Sequence, residues 1–331
     1  MTTAKQGKAY KRTTVIIIAV FTSLWLIGIA NYTIRRATAP KTLHPLGDII
    51  RTVNVNGNNI AFAAKGESDP IIMIHGSQMN AYDWRYNIGH FAESHRVYAL
   101  DMIGNGWSDK PRGDYSPDFF AGFIKNFMNA LEIENAIFFA SSWGGGHTLH
   151  FALKHPERVN ALVLSSPCGF KHRLDIMYLL RVPVLGRLIL LNINRAIVRS
   201  QLRAAYYDTS LVTPELVNAV YRPFLKPGFI RAALRAYRNS HFDFVERNIY
   251  QITAPTLLIW GANDHKHPIE MAKRMNREIK GSQLVIFENC GHLPHSEKHE
   301  RFNYHAQIFL EELIKEYKPL ERAKKNDKND K

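Results

Sequence analysis

Short apolar runs alternate with helix-like stretches along most of the chain. The runs show no polar alternation, and this pattern is typical of strands that are covered on both faces. They lie at 60–64, 71–75, 96–101, 136–141, 161–165, 256–261 and 283–287. The pattern therefore predicts an α/β fold built on a doubly wound, largely parallel sheet with helices on both sides.

The alternation stops after residue 166 and resumes near residue 253. The segment between has helical patterns interrupted by four prolines, which indicates several short helices. We interpret 171–250 as a helical cap inserted into a core formed by 49–170 and 251–315. The basic tail at 316–331 is expected to be disordered.

A long apolar stretch precedes the core. The 22 residues between Arg12 and Arg35 carry no charge, and as a helix they would extend roughly 33 Å, enough to cross a bilayer. We therefore expect a basic segment at 1–14, a single transmembrane anchor at 15–34 and a linker at 35–48.

The flanks of this stretch bear on its orientation and processing. Four basic residues precede the stretch, and they favour a cytoplasmic N-terminus. The side of the membrane that the rest of the chain faces stays open. A cleaved signal peptide is the alternative interpretation, because Ala37-Thr38-Ala39 resembles a cleavage site.

Composition and charge exclude several classes of protein. Hydrophobic residues make up 46% of the chain and charged residues 22%, unlike a disordered or collagen-like protein. Two cysteines, Cys168 and Cys290, are too few for a disulfide framework. The net charge of +14 would suit nucleic acid or an anionic membrane. The positive charge is concentrated beside apolar segments and no nucleic-acid recognition motif is present, so we expect no nucleic-acid partner.

The first candidate for chemistry is a serine in a glycine-rich turn. The strand predicted at 136–141 runs directly into Ser142-Trp143-Gly144 and then into a helical pattern. A strand, a sharp turn and a helix form the context in which a nucleophilic serine is lifted off the top of a sheet. The motif is A-S-S-W-G, with Ala140 in place of the first glycine of G-x-S-x-G. A phosphate-binding loop is the alternative for this segment alone.

Three further turns follow predicted strands. The strand at 71–74 ends in His75-Gly76-Ser77, where backbone N–H groups could bind an oxyanion. Asp264 follows the strand at 256–260, and His292 follows the last strand. The order Ser142, Asp264, His292 is the order of the α/β-hydrolases.

These segments together resemble the α/β-hydrolase superfamily over about 50–315. The resemblance rests on HGSQMNAYDW, DMIGNGWSDKP, SSWGGGHTLHFALKHPERV, APTLLIWGANDHKHP and FENCGHLPHSEKHERF. It implies a mostly parallel eight-stranded sheet with the cap inserted after strand 6.

The same resemblance implies a role for each candidate residue. Ser142 would be the nucleophile, His292 the general base and acid, and Asp264 the residue that orients His292. Backbone N–H groups of Ser77 and Trp143 would form the oxyanion hole. The place after an earlier strand where some members carry the acid holds Ser165 and Ser166 instead. No cofactor is implied.

Fifteen histidines raise the question of a metal site. Two groups lie close in sequence: His265 with His267, and His292 with His295 and His299. No recognisable ligand spacing such as H-E-x-x-H is present, so we expect no metal. His147 and His150 are expected to belong to the packing or the polar face of the helix that follows the serine.

The predicted cap bears on the substrate. An apolar stretch at 176–191 is followed by Arg195, Arg199 and Arg203 at a spacing of four, which places the arginines on one helical face. Such a surface suits a bilayer and lipophilic esters such as acylglycerols or lysolipids. The alternative is an ordinary cap core with a solvated arginine face.

We therefore predict a membrane-anchored serine hydrolase that cleaves small lipophilic carboxylic esters. Other reactions of the same serine machinery are the alternative, namely thioester cleavage, carbon–carbon bond hydrolysis, acyl transfer and perhydrolysis. A catalytically silent binding or scaffold protein is the alternative of a different class.

Overall fold

The apolar runs form the centre of a single mixed sheet in a computed structural model of the chain, which describes residues 2–39, 43–171 and 176–329. The side chains of 2–13, 16–18, 21, 176–178, 183 and 316–329 lie outside that description. The described residues form eight strands: β1 (Ile50–Val55), β2 (Asn58–Lys65), β3 (Pro70–Ile74), β4 (Arg96–Leu100), β5 (Ala136–Ser141), β6 (Val159–Ser165), β7 (Thr256–Gly261) and β8 (Gln283–Phe287). Their order in the sheet is β1-β2-β4-β3-β5-β6-β7-β8. β2 pairs antiparallel with both β1 and β4, and every other pair is parallel. The predicted α/β-hydrolase fold with a mostly parallel sheet is therefore confirmed.

Strands β2 to β8 agree closely with the seven predicted runs, whereas β1 corresponds to none of them. The α-helices are α1 (Thr2–Ala37), α2 (Ile88–Phe91), α3 (Pro117–Ala130), α4 (Ser142–Lys154), α5 (Pro183–Asn192), α6 (Arg195–Arg203), α7 (Pro214–Tyr221), α8 (Phe229–Asn239), α9 (Asp243–Asn248), α10 (Ile269–Glu278), α11 (Pro294–Glu297) and α12 (His299–Asn329). Short 3₁₀ turns lie at Gly47–Ile49, Ala81–Trp84, Pro156–Arg158, Ile176–Arg181, Thr209–Leu211, Arg222–Leu225 and Ile249–Gln251.

The central strands are buried on both faces because consecutive side chains enter different cores. Phe138 of β5 lies in a core with α3, α4 and α10, whereas its neighbour Phe139 lies in a core with α2 and α12. Side chains alternate across a strand, so an uninterrupted apolar run fills both layers. Because these strands run parallel, the carboxyl ends of β3, β5, β6, β7 and β8 lie at one edge of the sheet.

The segment between β6 and β7 is helical and has a core of its own. Leu190, Val198, Leu216, Tyr221 and Phe229 belong to this third cluster. Its helices α5 to α9 lie within the predicted cap at 171–250, although 172–175 fall outside the described residues. The predicted boundaries of the domains stay predictions.

Helix α1 packs its carboxyl-terminal part on the cap. The Tyr32 hydroxyl donates to the Phe224 carbonyl at 3.1 Å, and Arg35 donates to the Leu191 carbonyl at 2.7 Å. Within the described residues, no helix combines the length and the apolarity that crossing a membrane requires. The predicted anchor at 15–34 therefore has no support here, and it includes positions 16–18 and 21, whose side chains lie outside the description.

The carboxyl terminus differs from the expected disorder at 316–331. The backbone of α12 is helical to Asn329, and residues 330–331 are outside the described part. Lys and Glu make up seven of the 16 residues of the tail, and both have high helix propensity. Charge content alone therefore did not predict the backbone conformation.

Candidate active site

The turn between β5 and α4 places Ser142 in a strained backbone conformation. Its φ is +51°, in the left-handed region that non-glycine residues rarely adopt. The turn forms with Ala140 in the place of a glycine. Gly144 is required by close approach, because a Cβ there would overlap the carbonyl oxygen of His75. The serine hydroxyl is thereby held at the start of a helix, where backbone N–H groups lack partners within the helix.

Three of the predicted residues meet in series. Ser142 Oγ lies 2.8 Å from His292 Nε2, and His292 Nδ1 lies 2.8 Å from Asp264 Oδ2. The ionised Asp264 can only accept, so Nδ1 carries the proton of the neutral ring and Nε2 presents its lone pair to the serine. This is the arrangement in which imidazole accepts a proton from a hydroxyl.

The carboxylate of Asp264 is strongly held. It accepts backbone N–H groups of Lys266 and His267 through Oδ1, at 2.8 and 2.9 Å. Burial opposes its ionisation, but the charge and hydrogen bond of His292 outweigh burial and lower the pKa of Asp264 to about 2. Asp264 is therefore ionised at neutral pH and fixes the orientation of His292.

The loop that carries His292 is tied to the cap. The His292 backbone N–H donates to the Ala205 carbonyl at 2.7 Å. The buried carboxylate of Glu297 accepts the Gly291 N–H at 2.8 Å through one oxygen and the Asp208 N–H at 2.7 Å through the other. Ala205 and Asp208 lie between α6 and α7, so a cap segment positions the imidazole. Glu297 was not among the predicted site residues, although it lies only five residues after His292 in the sequence.

The predicted oxyanion turn lies beside Ser142. The Gly76 carbonyl accepts from His75 Nδ1 at 2.7 Å and from the Met79 N–H at 3.2 Å. In a trans peptide the carbonyl and the following N–H point in opposite directions, so the Ser77 N–H points away from the His75 ring. A Cβ on Gly76 would contact Ser142 Cβ at 3.4 Å. The oxyanion role of Ser77 and Trp143 stays a prediction.

A narrow pocket adjoins this turn and is closed by the cap. Its volume is about 20 Å³, room for about one water molecule. All of its lining side chains are uncharged: Ser77, Gln78, Asn105 and Trp143 from the core, and Ala233, Ala236 and Tyr237 from α8. The Tyr237 hydroxyl lies 2.9 Å from Ser77 Oγ. A substrate of ordinary size therefore requires the cap to shift.

A second Ser-His-Asp row lies behind the turn and was not predicted. Ser165 Oγ is 2.9 Å from His295 Nδ1, and His295 Nε2 is 3.2 Å from Asp83 Oδ1, in a geometry less direct than a good hydrogen bond. Asp83 Oδ2 accepts the Gly76 N–H at 3.4 Å. Burial opposes ionisation of Asp83, but the His295 charge lowers its pKa below the ordinary value. This row therefore connects to the backbone of the oxyanion turn.

The other predictions about histidines concern helix packing and metal binding. His147 is fully buried against Phe120 and Trp143, and burial holds its pKa well below the ordinary value. His150 pairs with Asp118 at 2.8 Å. Among the described residues, Asp264, His267 and His292 offer ligand atoms within 4.8 Å of one another.

Comparison with known proteins accounts for this architecture. A family profile for the α/β hydrolase fold matches residues 69–299. The chain belongs to the α/β-hydrolase family. It is 32% identical to a 2-hydroxymuconate semialdehyde hydrolase from a Pseudomonas species, over 75% of this chain and 88% of that protein. It is 31% identical to a 2-hydroxy-6-oxo-6-phenylhexa-2,4-dienoate hydrolase from Comamonas testosteroni, over 76% of this chain and 91% of that protein.

A solved structure gives the same result. A meta-cleavage product hydrolase from Pseudomonas fluorescens superposes with a TM-score of 0.69 at 29% identity, over 79% of this chain and 97% of that chain. The likeness covers most of both chains rather than one local motif. The chain is thus an α/β-hydrolase whose similar relatives include hydrolases of oxo-dienoates and a semialdehyde.

Proposed function

We propose that the protein is a serine hydrolase that forms an acyl-enzyme on Ser142. The observation that carries the proposal is the unbroken series of contacts from Ser142 Oγ through His292 to Asp264, each at 2.8 Å. His292 Nε2 takes the serine proton as Oγ bonds to a carbonyl carbon of the substrate. The bond to the leaving group breaks, and the leaving group receives that proton. Water then bonds to the acyl carbon and gives a proton to His292. The bond from that carbon to Ser142 Oγ breaks, Oγ takes the proton back from His292, and the acid is released.

Carbon–carbon bond hydrolysis is the reaction that the relatives favour. The names of two relatives specify a semialdehyde and an oxo-dienoate as substrates. Neither compound type contains an ester, so the bond hydrolysed next to the carbonyl joins two carbons. In this version the proton from His292 goes to the departing carbon. The substrate class we propose is therefore a small aldehyde or ketone whose leaving carbon is stabilised by conjugation.

Carboxylic ester hydrolysis is the second candidate, and the pocket supports it. The side chains that line the pocket carry no charge, so none of them pairs with the carboxylate of a dienoate. Once the cap has shifted to admit a substrate, a neutral acyl chain suits these side chains better than a carboxylate does. Thioester cleavage, acyl transfer and perhydrolysis share the same first half-reaction, and a catalytically silent scaffold would lack it.

Membrane association through α1 is a further part of the proposal. Val20, Leu24 and Ile27 lie on one stripe of the helix and each is about half exposed. Further along the helix, Tyr32 and Arg35 contact the cap. An exposed apolar stripe on a helix that is fixed to the cap supports contact with a bilayer, and lipophilic esters would be reached from there. Flotation of the full chain with phospholipid vesicles, lost in Val20→Asp/Leu24→Asp/Ile27→Asp, would support this attachment, and unchanged flotation would contradict it.

The function is tested by labelling and by paired rates. A fluorophosphonate probe should label the wild-type protein, while Ser142→Ala should stay unlabelled. Wild-type rates are then compared on 2-hydroxy-6-oxo-6-phenylhexa-2,4-dienoate, the substrate in the name of one relative, and on p-nitrophenyl esters of increasing chain length. Faster turnover of the dienoate supports carbon–carbon hydrolysis, and faster turnover of the esters supports the second candidate. Equal labelling of wild type and Ser142→Ala would overturn the proposal.

A further inference from the structure

Two side chains beside the triad have no part in the hydrolytic mechanism. Cys168 follows β6, and its backbone N–H donates to the Ser142 carbonyl at 2.8 Å. His267 follows β7, and its ring meets the His292 ring edge-on at 4.6 Å between centroids. Cys168 Sγ lies 3.5 Å from His267 Nε2. A thiol and an imidazole are therefore in contact next to the nucleophile and its base.

We propose that Cys168 and His267, together with Asp264 and His292, form an inhibitory site for a zinc ion. Thiolate, imidazole and carboxylate are the ligands that Zn²⁺ binds in proteins. Inhibition rests on the proposed hydrolase function, whereas binding of the metal does not.

The distances fit tetrahedral zinc. Bonds of about 2.3 Å to sulfur and about 2.0 Å to nitrogen, at a tetrahedral angle, place the two ligand atoms about 3.5 Å apart. The separation between Cys168 Sγ and His267 Nε2 is 3.5 Å. Ligand atoms of Asp264, His267 and His292 all lie within 4.8 Å of one another. The first two ligands are thus at binding distance. Among the described residues, the cluster of Asp264, His267 and His292 does not include Cys168, so a triad atom has to move toward the sulfur to become the third ligand.

The His267 ring already has the tautomer that a metal needs. Nδ1 lies 2.9 Å from the Ser166 carbonyl oxygen, which can only accept, so Nδ1 carries the proton. The lone pair is then on Nε2, which faces Cys168. A backbone carbonyl that holds the second ring nitrogen is the usual support of a metal-binding histidine.

Access distinguishes Cys168 from the second cysteine. Cys168 and His267 are partly exposed, whereas Cys290 is fully buried. A metal ion from solvent needs an accessible sulfur, so Cys168 is the cysteine that can bind it. Zinc binding requires the thiolate form. On binding, the Cys168 thiol proton is released to solvent and a sulfur–zinc bond replaces the S–H bond.

The consequence for catalysis follows from the shared residues. A zinc ion that takes a ring nitrogen of His292 or an oxygen of Asp264 interrupts the series of contacts that starts at Ser142. The imidazole then cannot accept the serine proton. Inhibition should be reversible, because chelation of the metal restores the hydrogen bonds.

Metal binding is tested first without any substrate. Titration of the full chain with Co²⁺ should produce the thiolate-to-cobalt charge-transfer absorption in the near ultraviolet, and Zn²⁺ should abolish it by displacement. Cys168→Ser keeps the size of the side chain and should lack the band. His265→Ala is the matched control, since His265 is an exposed histidine two residues from His267, and it should keep the band. Absence of the band in the wild type, or its persistence in Cys168→Ser, would overturn the proposal.

Inhibition is tested second, on whichever substrate the protein turns over. Zn²⁺ should inhibit the wild type and His265→Ala equally, and EDTA should restore both. Cys168→Ala and His267→Asn should need about 100-fold more Zn²⁺ for the same inhibition. Equal inhibition of Cys168→Ala and wild type would show binding to surface groups and overturn the site. Because the cobalt band needs no turnover, its presence in a protein that hydrolyses nothing would count against the proposed function alone.

Discussion

Two rows of serine, histidine and aspartate lie at the same edge of the sheet: Ser142, His292 and Asp264, and Ser165, His295 and Asp83. They differ in which ring nitrogen the serine contacts, in the backbone conformation of the serine and in its access to a pocket. In the row of Ser142, serine contacts Nε2 of the imidazole and aspartate contacts Nδ1. In the row of Ser165, serine contacts Nδ1 and aspartate lies near Nε2. Ser142 sits in a turn with φ of +51° next to a pocket. Ser165 ends a regular strand and is 0% exposed.

The difference shows that three residue types in contact do not make a nucleophile. The strained turn lifts the Ser142 hydroxyl off the sheet and places backbone N–H groups beside it. The Ser165 row has neither access to a substrate nor a helix start at its serine. Its aspartate accepts a backbone N–H of the oxyanion turn instead. We therefore interpret the first row as chemical and the second as structural support.

The largest expected effect separates the two serines. Ser142→Ala should lower kcat by about 10⁴ to 10⁶, because the acyl-enzyme cannot form. Ser165→Ala should leave kcat within about threefold and lower the free energy of unfolding by about 1 kcal/mol, the value of one hydrogen bond. Steady-state rates and urea unfolding of both variants measure this. A Ser165→Ala protein that is folded yet inactive would remove the distinction.

The next effect concerns the aspartate of the first row. Asp264→Asn should lower kcat by about 10⁴, because an amide can donate to His292 Nδ1 and stabilise the wrong tautomer. The amide keeps the shape of the carboxyl group, so the melting temperature should change far less than the rate. Single-turnover kinetics on the best ester or ketone measure the loss. A loss below tenfold would mean that another group orients His292.

The aspartate of the second row should act on stability instead. Asp83→Asn leaves the buried His295 without its charged partner and should lower the free energy of unfolding by about 3 kcal/mol. The weaker hydrogen bond to the Gly76 N–H should lower kcat by less than tenfold. This rate is measured at a temperature below the unfolding transition, where the variant is folded. Denaturant unfolding and rates at low temperature separate the two quantities. A kcat loss as large as that of Asp264→Asn would assign the second row a direct role.

The smallest expected effect is a dependence of stability on pH. The pKa of Asp264 is lowered from 3.8 to about 2, so the folded state stabilises the ionised form. This contribution, about 2 kcal/mol, is fully present above about pH 4 and is lost as pH falls toward 2. The difference in unfolding free energy between wild type and Asp264→Asn should therefore shrink across that range. Denaturant unfolding at several pH values checks the slope, and a constant difference would contradict the lowered pKa.

Much of the fold and of the first row was predictable from local patterns. Unbroken apolar runs predict strands that are buried on both faces of the sheet, and a strand followed by Ser142 and glycines predicts a sharp turn. These are short-range requirements, which a linear sequence displays directly. Lining of the pocket by Tyr237 and the link from Glu297 to Asp208 were not predictable, because they depend on how the cap rests on the core.

The sequence by itself determined which residues could react: a serine after a strand, and an aspartate and a histidine after two later strands. Only the tertiary structure decided which of them meet. Adjacent positions of β3, β5, β6, β7 and β8 in the sheet bring turns from distant parts of the chain to one edge. That order is a long-range property of packing. Sequence spacing therefore did not predict the contacts among Ser165, His295 and Asp83, or the contact between Cys168 and His267.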